Sequence, residues 1–271
     1  MPTVFDMLPD RFAELGDDRA IVMRQGFQRI GYDIKKCAGF CDPRDERDVL
    51  ITWTVHKGPK QKARDRFEAA GGRVVVAEEA HLRYLPNGPF PGEQYFSLCL
   101  HDHQFQWANG GPDRWQKWNV ALKPWRETGS VVLVRETRGI GSDAATCEPD
   151  WHARTAAKLS SLTTRRIELV EHPKKIKQRG EIPPTPEEQF ADAWCVVTWH
   201  SHMATEALVH GIPVIALGPF YFLKTATYSI LDIVDCIPLD DNRLAAFERF
   251  AWAQWSRTEI ASGEAFARLL Q

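Results

Sequence analysis

The chain has 271 residues, 44% of them hydrophobic, and a formal net charge of −2. That length exceeds one average domain and the apolar content supports a core, so a two-lobed α/β protein fits. A sequence pI near 6.5 gives no global basic field, so non-specific nucleic-acid binding is not implied. The N-terminus MPTVFDMLPDRF reads as neither a signal peptide nor a membrane span, and the mean hydropathy of −0.36 agrees with a soluble, cytoplasmic protein with no membrane partner. The six cysteines are scattered, and the C-x-x-x-C pair Cys37 and Cys41 lacks a second half for a zinc site. Reduced thiols are expected.

In chain order, Asp18 to Lys36 reads as a strand, a glycine turn and an amphipathic continuation. Asp48 to Thr54 is a buried strand that leads into Val55-His56-Lys57-Gly58. Lys60 to Ala70 is a helix closed by Gly71-Gly72, and Arg73 to Ala77 is the next strand. Strand, helix and strand make a βαβ unit, so the first half is a parallel-sheet lobe. Residues 84 to 114, rich in Gly, Pro, Asn and aromatics, read as functional loops. Val131 to Val134 opens the second lobe, and Thr137-Arg138-Gly139-Ile140-Gly141-Ser142 follows it. Trp151 to Leu162 is a helix. Ile167 to Val170 is a strand ending in Glu171-His172-Pro173, and Lys174 to Pro186 is an exposed basic, proline-rich loop. Glu187 to Ala193 starts a helix that Thr185 is placed to cap. Leu244 to Trp255 and Glu259 to Leu270 are amphipathic helices, the last of which is placed to cross back to the first lobe. The expected domains are 1–125 and 126–271.

The most informative stretch is Trp194 to Gly218, WCVVTWHSHMATEALVHGIPVIALG. It reads as a buried strand, a polar turn (Thr198 to His202), a short helix (Met203 to His210), a Gly-Ile-Pro turn and a second strand. A polar turn at the carboxyl end of a parallel strand, opening a helix, is where ligands bind in open α/β sheets. Glu206 lies one turn into that helix, where a carboxylate can hold ribose hydroxyls. The run S-H-M-A-T-E-A-L-V-H-G-I-P-V-I-A-L-G-P-F-Y resembles the nucleotide-sugar half of GT-B glycosyltransferases, closest to the capsule-polysaccharide and Kdo-transferase branch. The resemblance implies a GT-B-like α/β fold of two Rossmann-like lobes with a cleft between them. It also implies that Ser201 and its neighbour His202 approach donor phosphate and that Glu206 contacts the nucleoside. Ala204 or Thr205 stands where the family pattern has Gly.

Other segments supply candidate partners. The glycines Gly139 and Gly141 let backbone approach a phosphate, with Ser142 beside them and Arg138 adding charge. Glu171-His172-Pro173 resembles the K-x-H-P element of the Kdo-transferase branch, which implies that His172 faces donor phosphate. Glu78-Glu79-Ala80-His81-Leu82-Arg83 resembles that branch's E-D-G-F-L-R element, implying that Glu78 and Glu79 belong to the active site. Sugar transfer to a hydroxyl needs a group that takes the proton or stabilises an oxocarbenium-like transition state, and a carboxylate can do either. His56 and Lys57 follow a first-lobe strand and face the cleft by topology. His101, Asp102 and Asn109 read as an acceptor loop rather than a metal site.

The reading is a glycosyltransferase. Its donor is a nucleotide sugar, taken as a UDP-sugar, and no metal is required. The segment G-G-P-D-R-W-Q-K-W-N-V-A-L-K-P-W-R, with T-R-G-I-G-S, resembles compact glycosyltransferase-like proteins of bacteriophages. That resemblance implies an acceptor of hydroxymethylated pyrimidines in DNA, action in the host cytoplasm, and an acceptor surface that includes Arg114 and Trp115. A surface glycan or small acceptor, a sugar-nucleotide 2-epimerase and a non-catalytic nucleotide-binding phage protein are the alternatives.

Overall fold

The computed structural model describes residues 1–9, 18–54, 58–82, 88–101, 110–137, 146–218, 231–239 and 242–271. The chain divides into two compact units, Met1–Val120 with Glu248–Gln271, and Ala121–Phe247. The first stretch holds β1 (Thr3–Asp6), α1 (Arg19–Arg29), β2 (Asp33–Lys36), β3 (Val49–Trp53), α2 (Pro59–Ala69), β4 (Arg73–Glu79), β5 (Tyr95–Leu100) and α3 (Asp113–Trp118). The second unit adds β6 (Val131–Arg135), α4 (Trp151–Leu159), β7 (Arg166–Val170), α5 (Pro173–Gln178), α6 (Pro186–Gln189), β8 (Ala193–Thr198), α7 (His202–Val209) and β9 (Val214–Ala216). Helix α8 (Arg243–Ala251) carries the chain back, and β10 (Gln254–Ser256), α9 (Arg257–Ser262) and α10 (Glu264–Leu269) complete the first unit.

The first unit is built on a six-stranded sheet of order β10-β5-β4-β3-β1-β2. Strands β1 to β4 pair in parallel, whereas β5 runs antiparallel to β4 and β10 antiparallel to β5. Because side chains alternate along each strand, the two faces carry separate cores. Phe5, Leu50, Val74 and Val76 meet Ala63 and Phe67 of α2 on one face. Val4, Ile51, Val75, Ala77 and Phe96 meet Met23 and Phe27 of α1 and Trp255, Ile260 and Phe266 on the other. Gly26 makes that second face possible: a Cβ there would lie 2.0 Å from the Ile260 carbonyl oxygen. Helix α1 therefore packs backbone to backbone against α9, and Phe27 stacks on Phe266 with centroids 3.8 Å apart.

Several expectations are corrected. Arg19–Arg29 is a helix, not a strand. Ala20, Met23 and Phe27 are all buried and recur at helical spacing, and that period outweighs the short apolar run Ala20 to Met23. The 84–114 segment contains β5, buried from Tyr95 to Cys99, whose pattern YFSLCL is masked by flanking glycines and prolines. The Trp-rich segment forms α3, with Trp115 and Trp118 buried. Pro173–Gln178 is a short helix rather than loop. Gln254–Ser256 is a strand, and the last helix is broken at Gly263. Cys37 and Cys41 form a disulfide, not a pair of reduced thiols. Among the described residues no helix is long and apolar enough to cross a membrane.

One ion pair holds the returning segment in place. Arg114 is 7% exposed and donates to both oxygens of Glu259, at 2.5 and 2.8 Å. It also donates to the carbonyls of Ala251 and Gln254, and its guanidinium lies 4.0 Å from the Trp255 ring centroid. Glu259 in turn closes a capping box with Ser256 at the start of α9. Breaking a buried pair from one side leaves an uncompensated charge, which costs about 3–5 kcal/mol. Glu259→Ala is therefore expected to lower the unfolding free energy of the first unit, measured by denaturant titration, by an amount in that range. A loss below about 1 kcal/mol would show that the pair is dispensable.

Candidate functional site

The second unit is a four-stranded parallel sheet of order β7-β6-β8-β9. From β6 the chain crosses through α4 to β7 on one side. It then returns to β8 on the other side of β6 and crosses through α7 to β9. Right-handed crossovers in opposite directions place α4 and α7 on opposite faces. Accordingly Trp151 and Leu159 of α4 pack on Val132, Val134, Cys195 and Val197, leaving Leu133, Arg135, Val196 and Thr198 for the other face. Strand order reverses between β6 and β8. In open α/β sheets that reversal, at the carboxyl ends of the strands, is where ligands bind.

Two expected site residues stand on this edge. Ser201 follows β8 as the N-cap of α7, extended at φ −149° and ψ 142°, and its hydroxyl accepts a hydrogen bond from the Met203 amide at 3.3 Å. His202 is the first helical residue, and Glu206 is half-buried in the next turn. The tight Gly211-Ile-Pro turn returns the chain: Gly211 has φ +72° and a Cβ there would lie 1.9 Å from the Pro124 carbonyl oxygen. His172 follows β7 and caps α5; its Nδ1 accepts from the Lys174 amide at 3.1 Å. In the neutral imidazole this leaves the proton on Nε2. Its backbone N–H donates to Glu136 at 3.1 Å. Burial pushes the Glu136 carboxyl up, but hydrogen bonds from Lys175 and from the His172 backbone hold it below its ordinary value. Parallel pairing thus brings His172 and Ser201 to one edge. Arg138, Gly139, Gly141 and Ser142, expected beside them, lie outside the described residues.

Sequence reading passed over Arg135, the last residue of β6, which pairs in register with Val170 of β7 and Thr198 of β8. It is 5% exposed, and its Nη1 donates to the carbonyls of Val170 and Glu171. Burial lowers its pKa to about 10, against the fields of Glu206 and Glu136, so it remains cationic at neutral pH. The available signal was a charged residue closing the apolar run VVLV.

In the first unit the acidic pair is divided. Strand β4 extends through Glu79, so Glu78 and Glu79 are successive strand residues and point to opposite faces. Glu79, on the α1 face, accepts from Arg19 and from Gln94, each at 2.7 Å. Arg19 lies 4.6 Å from the Trp53 ring centroid. The expected neighbours His56 and Lys57 lie outside the described residues, as do Asp102 and Asn109. His101 stands at the other edge of the sheet from Glu79, because β5 is antiparallel and pairs Leu100 with Val75. There His101 pairs with Glu68 at 3.0 Å. Arg114 and Trp115, expected on an acceptor surface, belong to the core of the unit. Among the described residues no three His, Cys, Asp or Glu side chains group as a metal site.

His200, between β8 and α7, has its pKa pushed down to about 4 by burial. The unfolded chain takes up this proton near pH 6.5 and the folded chain only near 4, so stability is full above pH 6.5 and falls as the pH drops through that window. Denaturant midpoints are expected to fall between pH 7 and 5, and to fall less in His200→Gln. Equal falls in both proteins would remove His200 as the cause.

No family model matches the sequence, and no curated protein matches it. Several solved structures share the architecture, and two of them illustrate it. One is a beta Kdo 2,7 transferase, KpsC of Thermosulfurimonas dismutans, with a TM-score of 0.55 and 10% identity over 99% of this chain and 100% of that one. The other is a beta Kdo 2,4 transferase, KpsC of the same organism, with a TM-score of 0.58 and 13% identity over 100% of this chain and 98% of that one. At these identities the likeness is one of fold, and the fold is α/β and GT-B-like, with Rossmann-like parallel sheets.

Proposed function

We propose that the protein transfers a sugar from a nucleotide-sugar donor to a hydroxyl of a glycan acceptor. The observation that carries this reading is the strand-order reversal between β6 and β8, flanked by the Ser201-capped helix α7 and by His172. Helix amides and the positive end of the dipole suit a donor phosphate, and Glu206 suits ribose hydroxyls. The fold shared with two Kdo transferases supports the same class and makes an acidic sugar a donor to test alongside UDP-sugars. In the reaction, the bond between the anomeric carbon and the donor phosphate oxygen breaks, and its electron pair leaves on the nucleotide. The acceptor oxygen bonds to the anomeric carbon, and its proton passes to a base. Glu79 is the carboxylate assigned to that role or to stabilising positive charge on the sugar. A glycan acceptor is preferred to DNA because Arg114 and Trp115, which the DNA reading expected on its acceptor surface, are buried.

Incubation with a panel of nucleotide sugars and two acceptors, an oligosaccharide and hydroxymethylcytosine DNA, tests this directly by mass analysis. Sugar on the oligosaccharide is the expected result. Sugar on DNA would replace the acceptor, and neither binding nor transfer of any donor would remove the reading. Glu79→Gln is expected to keep donor affinity by calorimetry while turnover falls about a hundred- to ten-thousand-fold. Near-normal turnover would reject its role. Transfer is expected to persist in a chelator, since helix amides and cationic side chains are assigned to the leaving charge. Loss in chelator with recovery on adding magnesium would overturn that assignment.

A further inference from the structure

Arg135 and Thr198 stand side by side in register at the ends of the two strands that flank the reversal. Arg135 is 5% exposed and Thr198 is fully buried. The Nε of Arg135 and the Oγ1 of Thr198 have no hydrogen-bond partner among the described residues. The remaining described contacts of the guanidinium are neutral carbonyls, those of Val170 and Glu171. Register partners in a parallel pair project to the same face, here the face opposite the one packed by α4. The field of Glu206, in the second turn of α7, reaches Arg135. The described hydrogen bonds of this buried guanidinium go to neutral carbonyls and the carboxylates of Glu206 and Glu136 act on it through their fields, so its Nε–H and the neighbouring Thr198 hydroxyl are the buried groups left to meet an anion.

We propose that Arg135 and Thr198 form the floor of an anion site that takes the phosphate of the donor. The inference rests on the glycosyltransferase reading and adds two residues to it. Arg135 donates its Nε–H to a non-bridging phosphate oxygen while Nη1 holds the turn that carries His172. Thr198 donates its hydroxyl to the same group, and the α7 amides complete the shell. The positive charge is thereby set in place before the sugar–phosphate bond breaks, and it neutralises the electron pair that departs on the nucleotide.

The test uses inorganic phosphate and pyrophosphate as probes, on the full chain, at ionic strength matched with chloride. Either probe is expected to raise the melting temperature saturably. In Arg135→Gln the affinity is expected to fall at least roughly tenfold, and in Thr198→Val by several-fold, because hydrogen bonds to charged groups carry that much. Without a probe, Arg135→Gln is expected to melt no lower than the unsubstituted protein, since a buried charge has been removed; a residue that only braced the turn would leave the variant less stable. Nitrogen-15 spectra of the unsubstituted chain supply a measurement that needs no stable variant. The Arg135 Nε–H resonance is expected to shift and to gain exchange protection on adding phosphate. An unshifted resonance at saturating phosphate, or equal phosphate affinity in Arg135→Gln, would overturn the proposal. Phosphate binding through Arg135 in a protein that transfers no sugar would leave this inference standing and remove the glycosyltransferase reading. Sugar transfer undiminished in Arg135→Gln would do the reverse.

Discussion

Parallel pairing is the constraint on which the candidate site depends. A parallel strand returns only by a crossover, so β6, β7, β8 and β9 all deliver their carboxyl ends to one edge. Order β7-β6-β8-β9 then separates the crossovers of β6 and β8 to opposite faces, and the edge between these two strands is left uncovered by either helix. His172, Ser201 and Arg135 come from segments scattered along the chain, yet each follows or ends a strand of this sheet. Their convergence is a property of topology before it is one of side chains.

The first unit shows what happens where the constraint is broken. Strands β1 to β4 obey it, and Glu79 ends at the carboxyl edge with Arg19 and Gln94 upon it. Strand β5 enters antiparallel, so the chain beyond Leu100 emerges at the opposite edge. His101 therefore cannot share an edge with Glu79, whatever its chemistry. The antiparallel strands β5 and β10 instead give the returning C-terminal segment a place to pair, and the Arg114–Glu259 pair fastens it 145 residues away in sequence.

Much of this was legible in the sequence where a pattern was local. The apolar runs at Leu50, Val75, Val132 and Val196 mark buried strands, and T-W-H-S-H-M before an apolar helical pattern marks the capped start of α7. The misses share a physical cause. Ala20-Ile-Val-Met looks like a strand over four residues and like a helix face only over eleven. Strand β10 hides in an aromatic segment because its pairing partner, β5, is far away in sequence. Arg114 reads as a surface cation because its carboxylate partner is equally distant. Gly139 and its neighbours were legible as a phosphate-type turn but lie outside the described residues. Arg135 was passed over because a lone charge at a strand end carries no periodic signal.

Arg114 and Arg135 make the clearest comparison in the molecule. Both are arginines at 7% and 5% exposure, and burial of a guanidinium costs much the same wherever it happens. Around Arg114 the fold supplies a carboxylate, two carbonyls and an aromatic face, so its charge is balanced by the chain itself. Around Arg135 the described hydrogen bonds go to two carbonyls, Glu136 and Glu206 act only through their fields, and among the described residues neither Nε nor the Thr198 hydroxyl in the next strand has a partner. A core position with that deficit gains from an apolar replacement of similar volume. A strand end at a topological reversal is different, because an anion arriving there receives a preformed charge with little reorganisation. The difference between the two arginines lies in what surrounds them, and it separates a residue that closes the fold from one that waits for a ligand.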